Sequence, residues 1–337
     1  MAEKPVRVGL IGTGRIGQVH ARSIVTNPDT TLTWVADPFI EGAQKIAELS
    51  GAQPTDSPEE LISSQEVDAV LIAAPTPTHV PLIDACVDAR LPVLCEKPID
   101  LDIARVEALR PKVQQSGVPV LIGFNRRFDP GFASARARLA AGEIGDLEHL
   151  SIISRDPSAP PAEYLKDSGG IFRDMTIHDF DMARFFDPEI VEVSATATTF
   201  FDPGAKEHGD YDSATTTLKT ASGALISIIN SRHSAIGYDQ RMEVFGARGI
   251  LQVANPDTSL VSVSTADAVR SRPRYGEFFL ERYAEAYAIE LNELVKAARG
   301  QDFTAPTFED GRAALILADA AMRSAHEGIA VPVELRR

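Results

Sequence analysis

Cysteine is almost absent: Cys86 and Cys95 are the only two, too few and too poorly spaced for a disulfide framework or a cysteine-rich zinc site. No stretch approaches the roughly 18 apolar residues of a membrane-spanning helix. The opening MAEKPVRVGLIGTG runs at once into a short apolar segment broken by glycines, without the extended apolar core and cleavage region of a secretory signal. These absences lead us to expect a reducing, cytoplasmic setting and no membrane partner. Positive charge is also short, since 33 Lys+Arg stand against 48 Asp+Glu for a formal net charge of −15. Nucleic acid is therefore not expected as a partner, because duplex binding needs a basic footprint that displaces phosphate counterions. No internal repeat or low-complexity tract is visible.

What is present is enough chain for two domains: 337 residues, 44% hydrophobic and 24% charged, the balance of a soluble globular protein. Residues 6–17, VRVGLIGTGRIG, are a short β-type run ending in Gly12, Gly14 and Gly17, followed by the helix-like QVHARSIV. This places G-x-G-x-x-G between strand and helix, where it has a mechanism. Gly12 permits the tight turn, Gly14 lets the backbone approach a pyrophosphate, and Gly17 lets the helix pack closely on the strand. The helix start offers unpaired N–H groups to the phosphates. Arg15 and Ile16 lie inside the loop, Arg15 either touching the pyrophosphate or facing solvent.

A second strand pattern, TLTWVAD, ends in Asp37, at the spacing of about 20 residues where an acidic side chain accepts from the adenosine ribose hydroxyls. It would repel a 2′-phosphate, and Pro38, not an arginine, follows it. NAD is thus expected over NADP. VDAVLIAAP at 67–75 reads as a central parallel strand covered on both faces, and its loop carries Pro75, Thr76 and His79 towards the ligand edge of the sheet. Pro75 and Thr76 are placed to border the nicotinamide, while His79 either caps the following helix or lines the site. LPVLCEKP delivers Glu96, Lys97 and Pro98 to the same edge. There a lysine is placed to polarise a substrate hydroxyl or, on the bland reading, to pair with Glu96 at the surface. The last parallel strand, VPVLIGFNRRFDP, leads at about Phe124 into the second domain; Asn125, Arg126 and Arg127 either bind substrate oxygens or join the domains through salt links.

The fold class read from this order is α/β: a doubly wound parallel sheet of Rossmann type in 1–123, then an α+β domain in 124–337 with a mostly antiparallel sheet. LEHLSIISR, IVEVSATATTF, DSATTTLKT, ALISIINSRHS, QRMEVFG, GILQVA and SLVSVST read as its strands. Gly246 and Gly249 mark a hairpin turn, and two helices, about 277–299 and 308–327, close the chain. Before most of these strands comes GGIFRDMTIHDFDMARFF at 169–186, a helical pattern that stacks Asp174, His178 and Asp181 at i, i+4 and i+7. Taken alone, such a helix is most often a solvated acidic face with one packing histidine. The dinucleotide loop and Lys97 both call for a proton acceptor, and His178 supplies one.

In this order GTGRIG, AAPTPTH, CEKP, GFNRRFDP, SRDP and GGIFRDMTIHDFDMARF resemble the glucose-fructose oxidoreductase-like (Gfo/Idh/MocA) dehydrogenase family, and within it the bacterial inositol dehydrogenase branch. The resemblance covers essentially the whole chain. It implies an N-terminal Rossmann domain, a large open C-terminal sheet used for assembly into a homo-oligomer, usually a tetramer, and oxidation of a ring alcohol by NAD. By motif it implies Lys97, Asp174 and His178 as the catalytic group. Arg127, Asp156, Asp181 and Tyr238 correspond to substrate-pocket positions, Asp156 standing where related enzymes often carry Asn. The implied substrate is a cyclic polyol, myo-inositol giving an inosose and NADH. Another isomer or an aldose is the alternative, and a non-catalytic NAD-sensing regulator would not need all three catalytic groups. Asp174, His178 and Asp181 are chemically reasonable metal ligands, but with Lys97 as electrophile no metal is expected.

Overall fold

The first sheet has six strands, all but β3 lying in hydrophobic runs of the sequence: β1 Val6–Ile11, β2 Thr30–Ala36, β3 Gln53–Thr55, β4 Ala69–Ile72, β5 Val93–Cys95 and β6 Val120–Ile122. The structure is a computed structural model that describes residues 4–335. All neighbouring strands pair parallel in the order β3-β2-β1-β4-β5-β6, the doubly wound order in which ligands bind beyond the carboxyl ends of the strands. Every residue of β4 is fully buried, as expected for a central strand with helices on both faces. β3 and the short helix Pro58–Ser63 behind it were not foreseen. β3 has three residues, one of them Pro54, and lies at the sheet edge, where a missing N–H costs no ladder bond. Cys86 and Cys95 are free thiols in this core, and burial pushes the Cys86 thiol up to about 12.

The first compact unit holds the chain through Phe128 and also Glu285–Leu315; the second holds Asp129–Ala284 and the chain from Ile316 onward. A single cut after residue 123 therefore leaves out a return of the chain. The return has a local cause. Ile122 N–H donates to Pro306 O at 2.8 Å and Leu121 bridges Thr307, so the returning segment continues the edge of the sheet at β6. Gly311 then packs so closely that a Cβ would lie 2.7 Å from Ile99 Cδ1.

The second unit is built on seven strands: β7 Leu147–Arg155, β8 Ile190–Thr198, β9 Ser213–Thr220, β10 Leu225–Ser231, β11 Asp239–Gly246, β12 Gly249–Val253 and β13 Val331–Pro332. Their order is β12-β11-β7-β10-β9-β8-β13. Only β7 and β10 pair parallel; the other pairs are antiparallel. The Gly246–Gly249 hairpin is present, with the two glycines paired. SLVSVST is not a strand. It makes a single bridge, Val263 to Ser271, and Leu260, Val261 and Val263 are exposed, so its apolar residues have no core to face. The helix expected over 277–299 is broken at Tyr283 into Phe279–Arg282 and Ala284–Ala298.

Alternation along the strands buries one face of this sheet. Leu150, Ile152, Leu218, Ile226, Ile228 and Val244 point inward, while Leu225, Ile229, Phe245 and Ile250 remain exposed on the other side. No helix among the described residues is long and apolar enough to cross a membrane.

Candidate active site

The glycine loop is shaped by contacts that only glycine permits at two of its three positions. Gly12 has φ of 101° and a Cβ there would sit 2.4 Å from Ala73 O; a Cβ at Gly17 would sit 2.2 Å from Gly12 O. At Gly14, by contrast, a Cβ would meet nothing within 4 Å. Space beside Gly14, together with a following helix Arg15–Thr26 that has no side-chain cap, suits a pyrophosphate approaching backbone N–H groups. Arg15 is exposed and Ile16 half-buried at this helix start.

Asp37 closes the loop from the end of β2. Its Oδ2 accepts the Thr13 N–H at 2.8 Å and the Thr13 hydroxyl at 2.7 Å, and its Oδ1 accepts the Phe39 N–H at 2.9 Å. Thr13, unnoticed in the sequence because it lies between two glycines, thus fixes the carboxylate. Gly42 leaves it room, since a Cβ there would lie 2.2 Å from the Thr13 hydroxyl. The donor set and the fixed carboxylate fit the unphosphorylated ribose of NAD.

Pro75 is exposed and Thr76 half-buried in the 3₁₀ turn Thr76–Thr78 after β4. His79 begins the next helix without capping it by its side chain. Its buried ring lies with Nδ1 2.8 Å from Pro98 O and Nε2 2.8 Å from Ala74 O, so it joins the β4 and β5 loops. Burial pushes this imidazole below its ordinary range, although both carbonyls pull the other way. Glu96 is also committed within the protein: its Oε1 lies 2.8 Å from His20 Nε2 and its Oε2 accepts the Lys97 N–H at 3.3 Å. Glu96 is buried rather than at the surface, and its Oε1 belongs to this pair with His20. Lys97 is half-buried and the Lys97–Pro98 peptide is cis. Arg127 bonds Asp310 at 3.0 Å, a salt link to the returning segment.

In the second unit the expected helix does form, but not as a uniform α-helix. Phe172–Thr176 is a π-turn, followed by the α-helix Ile177–Phe186. The wider turn breaks the strict i, i+4 stacking of Asp174 on His178. Nor is this an acidic solvated face. Asp179 and Asp181 are fully buried, and Asp174 and His178 are half-buried. Asp179 accepts the Asn230 amide N–H at 2.7 Å, while the Asn230 oxygen accepts from the Thr176 hydroxyl at 2.9 Å.

Asp174 is held from two sides by residues absent from the sequence reading. The Tyr164 hydroxyl donates to Asp174 Oδ1 at 2.7 Å, and the Arg232 guanidinium stands 3.7 Å from Oδ2. Desolvation, with the Asp174 carboxylate beside it, pushes the Tyr164 phenol above its ordinary value. Asp156 lies within the field of the same phenol, and its N–H donates to Ser231 O at 2.9 Å. Tyr238 is buried with its ring edge-on to Tyr283, centroids 6.0 Å apart. Next to it, Asp239 is buried, which opposes ionisation, yet hydrogen bonds from Arg241 and Asn255 hold its carboxyl below the usual range. Among the described residues no group of three or more His, Cys, Asp or Glu is arranged to hold a metal ion.

Comparison with known proteins places these features in context. Residues 6–124 match the oxidoreductase family with an NAD-binding Rossmann fold, and residues 132–252 match the GFO/IDH/MocA C-terminal domain. The chain is 46% identical to an inositol 2-dehydrogenase of Rhizobium meliloti, over 96% of this chain and 97% of that protein. It is 50% identical to the solved myo-inositol dehydrogenase of Corynebacterium glutamicum, with a TM-score of 0.95 over 98% of this chain and 99% of that one. A scyllo-inositol dehydrogenase from Lactobacillus casei, solved with NAD(H) and scyllo-inositol, aligns with a TM-score of 0.90 at 28% identity, over 98% of this chain and 99% of that one.

Proposed function

The chain belongs to the GFO/IDH/MocA family of NAD-binding oxidoreductases, and we propose that it oxidises a ring hydroxyl of a cyclic polyol, myo-inositol to 2-keto-myo-inositol, with formation of NADH. The observation that carries this reading is the pairing of two preparations in one chain. One is an NAD-type loop whose Asp37 is fixed by Thr13; the other is a half-buried Asp174, held by Tyr164, just ahead of His178.

NAD, when bound, supplies the hydride acceptor at nicotinamide C4. Gly12, Gly14, Arg15, Ile16 and Gly17 receive the pyrophosphate, Asp37 the adenosine ribose, and Pro75 and Thr76 border the nicotinamide. His79 and Glu96 contribute by holding the loops that carry these groups. Lys97 holds the reacting hydroxyl oxygen and stabilises its alkoxide character. His178 accepts the hydroxyl proton, and Asp174 stabilises the imidazolium that results. Arg127, Asp156, Asp181 and Tyr238 are the remaining substrate-pocket candidates. Asp156 in place of the Asn often found in relatives supports a second reading, in which another inositol isomer is preferred.

We place the protein in the cytoplasm as a homotetramer. Support for assembly comes from the outer face of the second sheet, where Leu225, His149, Phe245 and Ile250 lie in one row across four strands. Three of these four side chains are exposed and apolar, and a second copy of the chain is their expected cover. Steady-state kinetics with NAD and NADP across myo-, scyllo- and chiro-inositol, glucose and xylose tests the assignment. Reduction of NAD by an inositol supports it; turnover of aldoses alone, or of no polyol at all, overturns it.

A further inference from the structure

The side chains of β10 alternate, and the inward series Ile226, Ile228 and Asn230 continues beyond the strand to Arg232. Arg232 is 1% exposed. A guanidinium so far from water needs compensation by charge and hydrogen bonds. Here the charge is present and the hydrogen bonds are not. Arg232 Nη2 lies 3.2 Å from Asp210 Oδ2 and 3.7 Å from Asp174 Oδ2, yet among the described residues none of its three side-chain nitrogens reaches a well-aligned acceptor. Its own N–H donates to Asp212 O, which fixes the backbone but not the side chain.

A fastener for the fold would need only Asp210, whose Oδ1 already accepts the Ile171 N–H at 2.8 Å at the start of the π-turn segment. The same guanidinium also stands before Asp174. The Tyr164 hydroxyl is on Oδ1 and Arg232 is nearest Oδ2, so each oxygen of Asp174 has its own neighbour. We propose that Arg232 is the positioning residue of Asp174, a buried cation that holds this carboxylate in orientation for its work with His178. The proposal rests on the reaction assigned above. Arg232 acts through Asp174 and touches neither substrate nor cofactor in this account. Tyr164 donates to the same carboxylate, and Asp210 shares the Arg232 guanidinium with it.

The test uses the full-length protein and the variants Arg232→Lys, Arg232→Met, Asp174→Asn and Arg232→Lys/Asp174→Asn. The expected order of kcat with NAD and myo-inositol is wild type above Lys above Met, with Lys at least roughly fivefold below wild type and KM for NAD within about twofold throughout. In urea unfolding, the midpoint shifts caused by Arg232→Lys and Asp174→Asn are expected to be non-additive, as for groups that interact directly. Arg232→Lys within fivefold of the wild-type kcat, a parallel loss of NAD affinity, or additive midpoint shifts would each overturn the proposal. If Arg232→Met does not fold, the Lys variant and the stability cycle decide alone. A wild-type protein that turns over no polyol refutes the assigned reaction instead, and the stability cycle still decides whether Arg232 and Asp174 act as a pair.

Discussion

His20 and Glu96 form a buried pair, Nε2 to Oε1 at 2.8 Å, that ties the helix behind the glycine loop to the strand end carrying Lys97. Among the described residues His20 Nδ1 has no partner, and the tautomer with its proton on Nε2 donates to Glu96. The His20 ring also stands edge-on to Tyr287, centroids 5.4 Å apart. His20→Ala would leave a buried carboxylate oxygen without its donor, at a cost of about 1.5–3 kcal/mol. It should lower the urea midpoint, and lower kcat by roughly tenfold through misplacement of Lys97. Glu96→Gln keeps an acceptor for His20 and should be milder in both measurements. A Glu96→Gln variant as damaged as His20→Ala would show that the charge, not the hydrogen bond, is what matters.

Cofactor choice should follow Asp37. In Asp37→Ser the negative charge is gone and both Thr13 donors, now bound at 2.8 and 2.7 Å to the carboxylate, are released towards a 2′-phosphate. The ratio of kcat/KM for NAD over NADP is expected to fall by roughly tenfold or more, about 1.4 kcal/mol of discrimination. Wild-type preference for NADP, or an unchanged ratio in the variant, would refute the role given to this residue.

The catalytic assignment predicts a separation of chemistry from binding. His178→Ala and Lys97→Met should each lose about 10²–10⁴ in kcat, while titration of NADH fluorescence reports affinity near that of the wild type. Near-normal turnover in either variant removes that residue from the mechanism. Retained activity after exhaustive chelation is expected as well, since no step uses a metal.

These assignments differ in how far the sequence could carry them. The loop at Gly12, Gly14 and Gly17 was legible because its spacing stands between a strand and a helix and backbone contacts exclude a side chain at Gly12 and Gly17, and Asp37 because its spacing is set by one strand-helix-strand unit. His20 with Glu96, and Tyr164 with Arg232 around Asp174, were not legible. They are joined by tertiary packing across 76 residues in the first case, and periodicity along one element says nothing about its partner. One signal was available: Asn230 and Arg232 fall on the apolar face of ALISIINSR, and polar groups there imply buried partners. The π-turn at Phe172–Thr176 also escaped, because one extra residue in a turn leaves the apolar pattern of the helix nearly unchanged. β3 was too short to show a strand period.

Acid stability should carry the mark of His79. Burial lowers its folded-state pKa below the ordinary value of 6.5, so between the two values the unfolded chain binds more protons and stability rises with pH. The contribution is fully present above about pH 6.5 and is lost as pH falls from there through the folded-state pKa. Melting temperature should therefore drop on acidification below that point, and His79→Gln, which cannot take up the proton, should show a shallower drop over the same range. Equal slopes in the two proteins would place the acid sensitivity elsewhere.

The outer sheet face gives the last prediction. Phe245 pairs with Ile250 across the β11–β12 hairpin and with His149 on β7, and His149 pairs in turn with Leu225 on β10. The row is continuous and largely apolar, whereas a water-facing strand of an antiparallel sheet ordinarily alternates to polar residues. A lysine at Phe245 points into solvent in an isolated chain and should leave its fold intact, because that side chain is already substantially exposed. In an assembly covered by a second copy it buries a charge against apolar neighbours, at a cost that favours separation. Light scattering on Phe245→Lys is expected to show a smaller species than the wild-type protein, with far-UV circular dichroism unchanged. A wild-type monomer, or a variant that assembles as well as the wild type, would show that this face is not where copies meet.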